Sequence, residues 1–141
     1  MEVMTQRWFV LALFTPMLAW GEPAWQVSLG SSGGFTGGGT SLTVLSDGRV
    51  IRGKWSEAMS PRKDQLVRTM SAKEVQALKK VLRDPALVKL KLDEHANMTT
   101  FLNYQEGKVK RHYSWSMGKT PPVPLQRAYQ AVESAGSAGK L

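Results

Sequence analysis

Residues Ser41 to Trp55 leave the chain little choice of local structure. Two alternating runs, Ser41-Leu42-Thr43-Val44-Leu45-Ser46 and Arg49-Val50-Ile51-Arg52-Gly53-Lys54-Trp55, flank the dipeptide Asp47-Gly48. Asp-Gly suits a two-residue type I′ turn, whose central positions both need positive φ. Counting outward from such a turn pairs Ser46 with Arg49, Val44 with Ile51 and Thr43 with Arg52. The register then sets Leu42, Val44, Ile51 and Trp55 on an inner face, and Ser41, Thr43, Arg52 and Lys54 on an outer one.

A lone hairpin is marginal in water, so the remaining segments must supply further strands or a helical layer. Trp25-Gln26-Val27-Ser28-Leu29 alternates as a half-buried strand does. Residues 56–65 read as a polar connection, and Gln65 to Met70 supply another short strand. Ser71 and Glu74 stand in the S-x-x-E relation of a capping box, with Met70 and Val75 as a hydrophobic staple, so a helix begins at Ser71. Its stripe is Val75, Leu78, Val81 and Leu82, and it stops before Pro85. Asp84-Pro85 starts a short helical turn through Val88, and residues 89–97 read as irregular.

A second hairpin joins Asn97–Tyr104 to Lys108–Ser116 through Glu106-Gly107. A two-residue register sets Met98, Thr100, Leu102, Tyr104, Val109, Tyr113 and Trp115 on one face, with Lys108, Lys110 and His112 on the other. Arg111 and Phe101 break that pattern, and a three-residue loop with Gly107 in a bulge is the alternative. Leu125, Ala128, Tyr129 and Val132 form the stripe of a last helix that Gly136 ends. The order of elements predicts an α+β domain, an antiparallel sheet of about five strands in hairpins with two main helices on one face.

The N-terminus reads as a targeting signal. Arg7 precedes the apolar run Trp8–Trp20, and Ala19-Trp20-Gly21 presents small residues for cleavage after Gly21. The run is 13 residues long, short of the roughly 20 that span hydrocarbon. The expected division is a signal peptide over 1–21, one domain over 22–136 and a loose tail over 137–141. Export to the periplasm or the cell exterior follows, with membrane attachment only if the signal stays uncleaved. The chain has no cysteine, so no disulfide staples the fold after export.

The formal net charge is +8. Glu2 and Arg7 cancel within the signal, so the whole excess belongs to the chain that follows it. Such a balance favours acidic partners: an acidic protein surface or an anionic envelope polymer. Specific nucleic-acid binding is not expected, because alternation turns Tyr104, Tyr113 and Trp115 away from Lys108 and Lys110.

Ser31 to Thr40 (SSGGFTGGGT) holds five glycines around Phe35. A P-loop needs Gly-Lys-Ser/Thr leading into a helix; here Thr40 follows Gly39, the first lysine after it is Lys54, and a strand comes next. With strands close on both sides, the stretch reads as a shaped loop that holds Phe35 either in the core or at a rim. His95 and His112 do not form a ligand set, and no Gly-x-Ser-x-Gly elbow or paired-carboxylate motif occurs, so neither metal, cofactor nor catalysis is expected.

Ser32-Gly33-Gly34-Phe35-Thr36-Gly37 after a first strand, followed by Ser46-Asp47-Gly48-Arg49-Val50, resembles emfourin-like proteins. These are small bacterial proteins, one of which inhibits thermolysin-like zinc metallopeptidases. The resemblance covers roughly Val27 to Val132 in order of elements, with the hexapeptide as its specific part. It implies a non-catalytic binding domain that inhibits a metallopeptidase; it carries no inhibitory residue onto this chain. The candidate partner-binding residues are Gly33, Gly34, Phe35 and Gly37 in the loop, with Arg52, Lys54, Lys108 and Lys110 on the basic face. The alternative is a basic domain that uses those four cations to hold an anionic envelope polymer.

Overall fold

A computed structural model of the chain describes residues 24–34, 37–56 and 59–137, the side chains of 59–61 aside. The signal peptide expected over 1–21 and residues 138–141 of the expected tail lie outside the described residues. Among the described residues, six strands and three helices follow in the order β1 (Trp25–Gly33), β2 (Gly39–Leu45), β3 (Arg49–Ser56), β4 (Met59–Thr69), α1 (Ala72–Leu82), α2 (Pro85–Lys89), β5 (Met98–Glu106), β6 (Val109–Ser116) and α3 (Val123–Ser137). The strands form one sheet in the order β4-β3-β2-β1-β5-β6, antiparallel at every pairing. The fold is α+β, with one more strand than expected.

The core lies between the sheet and the helices. In β1, Val27 stands between Val44 of β2 and Tyr104 of β5, and Leu29 between Leu42 and Leu102. Val75, Leu78 and Leu82 of α1 and Leu125, Ala128 and Val132 of α3 close over them, all buried. Each fully buried aliphatic side chain contributes about 1.5–3 kcal/mol. The capping box forms as the sequence requires: Glu74 N donates to Ser71 Oγ at 3.2 Å, and Ser71 N to Glu74 Oε1 at 3.2 Å. Arg68 then joins three elements, donating to the Glu74 carboxylate at 2.8 Å and to the Ala135 carbonyl at 3.2 Å.

The first hairpin corrects the expected register. Val44 pairs with Val50 and Thr43 with Ile51, one residue away from the count above. Only Gly48 has positive φ, at +100°, and a type I′ turn needs it at Asp47 too. The connection is instead a three-residue loop, closed by Gly48 N donating to the Leu45 carbonyl at 2.9 Å. The one-residue slip exchanges the faces of β3. Val50 enters the core, Ile51 and Trp55 move to the open face of the sheet, and Arg52 and Lys54 move to the helix side, where both remain exposed.

The second hairpin has the expected two-residue loop, but its turn lies one residue later than Glu106-Gly107, so every pair moves by two and the faces are unchanged: Glu106 pairs with Val109, Leu102 with Tyr113 and Thr100 with Trp115. Its turn is Gly107-Lys108, with positive φ only at Gly107, as in a type II′ turn. Arg111 does lie on the helix side. Its guanidinium rests 4.3 Å from the Tyr104 ring centroid and donates to the Leu82 carbonyl at 2.9 Å.

Two boundaries also differ. Residues 59–69 form the full edge strand β4, where a connection and a short strand were expected; an edge strand facing water needs no apolar alternation. Gly136 does not end the last helix but lies inside its final turn, so close to Leu42 that a Cβ there would sit 2.5 Å from Leu42 Cδ2.

Candidate functional site

The glycine stretch joins two paired strands. β1 ends at Gly33 and β2 begins at Gly39, and Ser32 pairs with Gly39. Gly33, Gly34 and Gly37 have φ of +115°, +79° and +63°, a region that costs other residues about 1–2 kcal/mol. Gly33 N donates to the Gly38 carbonyl at 3.1 Å, and Gly34 N to the Asn97 carbonyl at 2.8 Å. The approach to Asn97 leaves no room for a side chain: a Cβ on Gly33 would lie 2.1 Å from the Asn97 carbonyl oxygen. Phe35 and Thr36 lie outside the described residues, and with them the choice between core and rim.

The other flank of the loop rests on β3. A Cβ on Gly38 would lie 2.5 Å from the Trp55 carbonyl oxygen, and one on Gly39 would lie 2.5 Å from Trp55 Cζ2. The Trp55 indole therefore covers Gly39 on the open face. Arg62 closes over the indole at 4.9 Å from its centroid and donates to Ser41 Oγ at 2.8 Å and to Asp64 Oδ1 at 2.9 Å. Nothing in the expected register pointed to this clamp, because it assigned Trp55 to the core. The glycines at 39 and 53, opposite Trp55 and Asp64 in the two ladders, were the available signal.

The basic residues do not form one face. Arg52 and Lys54 lie on the helix side of β3, Lys108 lies in the second turn, and Lys110 lies on the open face of β6. β3 and β6 are four strand positions apart, about 19 Å at ordinary spacing. Lys110 lines a shallow polar hollow of about 350 Å³ with Gln26, Ser28, Asn103, Gln105 and His112. Tyr104, Tyr113 and Trp115 are buried beneath the helices.

His95 Nε2 and His112 Nε2 approach Asp93 Oδ1 at 3.5 and 3.8 Å, and His112 Nδ1 shares a hydrogen bond with Asn103 Oδ1. Among the described residues no group of three or more His, Asp or Glu side chains is placed to hold a metal ion. No described helix is long and apolar enough to cross a membrane. No protein-family model matches the chain, and no curated protein matches it.

One carboxylate sits in a charged network on the helix side. The Tyr104 hydroxyl donates to Glu106 Oε1 at 2.5 Å and Arg83 donates to Oε2 at 2.6 Å. The phenol, foremost, and then the guanidinium hold the Glu106 carboxyl below its ordinary range, against a desolvation effect that raises it. Burial pushes the Tyr104 phenol up. This network joins the C-terminus of α1 to β5 and β6.

Proposed function

We propose that this chain is an exported, non-catalytic binding domain that docks a protein partner through the glycine loop at the end of its sheet. The observation that carries the reading is the anchoring of that loop on two sides, to Asn97 through Gly33 and Gly34 and to Trp55 through Gly38 and Gly39. A loop held at both flanks has less freedom to lose, and the ordering cost of binding through it is reduced accordingly. Loops carried on a rigid scaffold are the usual bearers of recognition. The narrower reading, that the partner is a thermolysin-like metallopeptidase which the domain inhibits, is supported by the SGGFTG resemblance alone.

The test is an inhibition and capture assay against thermolysin-like metallopeptidases, with residues 22–141 and its Phe35→Ala variant. The expected result is binding that the variant weakens about tenfold or more, as loss of an aromatic anchor does, with the melting temperature held within about 2 °C. A variant that loses fold and binding together would make Phe35 a core residue and overturn the docking role.

A further inference from the structure

Three cations of the β3–β4 ribbon are neutralised: Arg49 by Asp47 at 2.8 Å, Arg62 by Asp64 at 2.9 Å and Arg68 by Glu74 at 2.8 Å. On the helix side the ladder pairs Lys54 with Lys63 and Arg52 with Gln65. These four side chains form a two-by-two block, all exposed. Cross-strand Cα atoms lie about 4.5–5.5 Å apart and same-face neighbours along a strand about 6.5–7 Å. The reach of the side chains lets all four polar ends converge on one group.

Among the described residues no ion pair involves Arg52, Lys54 or Lys63, and no acidic residue shares the block. Like charges directly opposite on a sheet are destabilising. Lysines on an edge strand do protect it from pairing with another chain. That accounts for Lys63 on β4; it does not account for Arg52 and Lys54, which lie on an interior strand.

We infer that this block is a phosphate-binding site, at which a multiply charged oxyanion relieves the Lys54–Lys63 repulsion. Three positive charges and a side-chain amide within one or two residue spacings exceed what one carboxylate neutralises. They match a phosphate or a run of phosphates: the Arg52 guanidinium offers paired N–H donors, the two ammonium groups act as point charges, and the Gln65 amide adds a neutral donor. The site lies on the helix side of β3 and β4, beside the flank of the glycine loop that Trp55 anchors, and does not rest on the docking proposal.

The experiment titrates residues 22–141 with inorganic tripolyphosphate at low salt by calorimetry, and in a second arm with phosphatidylglycerol vesicles. The variants are Lys54→Gln/Lys63→Gln and, as a control of equal charge change, Lys73→Gln/Lys89→Gln. The expected result is saturable binding that the first variant weakens about tenfold or more while the control stays within about twofold. Binding of tripolyphosphate alone identifies a soluble phosphate as the source, and binding of vesicles alone a lipid headgroup. The first variant should melt no lower than the parent, so lost binding is not lost fold. Equal losses in both variants would reduce the effect to net charge and overturn the site, as would the absence of saturable binding in both arms.

Discussion

Replacing Arg111 by methionine tests how the second hairpin is locked to α1. The substitution keeps an unbranched stem beneath the helices and removes the guanidinium. Three interactions go with it: the bond to the Leu82 carbonyl at 2.9 Å, a long one to the Tyr113 hydroxyl at 3.3 Å, and the contact over Tyr104 at 4.3 Å. A charge-assisted hydrogen bond contributes about 1.5–3 kcal/mol and the cation–π contact about 0.5–1 kcal/mol. Arg111 is half-buried, which discounts the first figure for solvent screening, and the new thioether recovers about 0.5 kcal/mol against the ring. The net loss is about 1–3 kcal/mol. At roughly 4 °C per kcal/mol for a domain of this size, the melting temperature should fall by about 4–12 °C. Calorimetry with a urea titration reads both quantities, and an unchanged urea slope shows that stability alone moved. Arg111→Lys should fall between the two, because it keeps the charge but not the fork. A methionine variant as stable as the parent would refute the reasoning and leave Arg111 as a surface charge that happens to face inward.

Two further outcomes are expected, one from the Glu106 network and one from the glycine loop. The Glu106 carboxyl is held low in the folded state by Tyr104 and Arg83, so its contribution is complete above the unfolded carboxylate range of about 4.3 and is lost as pH falls through the lower folded value. Glu106→Gln should therefore lower stability at neutral pH and flatten its decline below about pH 4.5; an unaltered acid limb would place the decline elsewhere. Gly33→Ala puts a methyl 2.1 Å from the Asn97 carbonyl at φ of +115°, and a fall of about 8 °C or more in melting temperature is expected; a change under about 2 °C would show that the loop flank yields easily.

Most of the architecture was legible because several signals agreed at each element. The capping box at Ser71 and the staple at Met70 and Val75 identified the start of α1 by local chemistry alone. The alternation in residues 98–116 placed Leu102, Tyr104, Tyr113 and Trp115 inward even though Arg111 and Phe101 broke the pattern. Both exceptions have reasons that act at a distance: Arg111 serves a helix carbonyl, and the Phe101 ring lies over Gly30, where a Cβ would sit 3.0 Å from its Cζ. The first hairpin failed where Asp47 was assigned the positive φ that only Gly48 takes. With Val50 and Ile51 adjacent and equally apolar, nothing in composition distinguishes the two registers. The first half of β4 was read as a connection because an edge strand exposed to water can be written in polar residues, and with it went Lys63 of the cationic block.

The place of β1 in the ladder bears on how the chain assembles. β1 to β4 form a ribbon whose neighbours are also neighbours in sequence, and β5 with β6 form a second ribbon. The two are sewn together along one line, where Trp25 to Gly33 meet Met98 to Glu106. Each ribbon can close early, since its loops are short, whereas the seam must bring together segments about 70 residues apart. Amide hydrogens along that seam should report the opening of the whole molecule rather than of a part of it. A cut through β1 would leave two separate ribbons, neither of them a smaller version of the sheet.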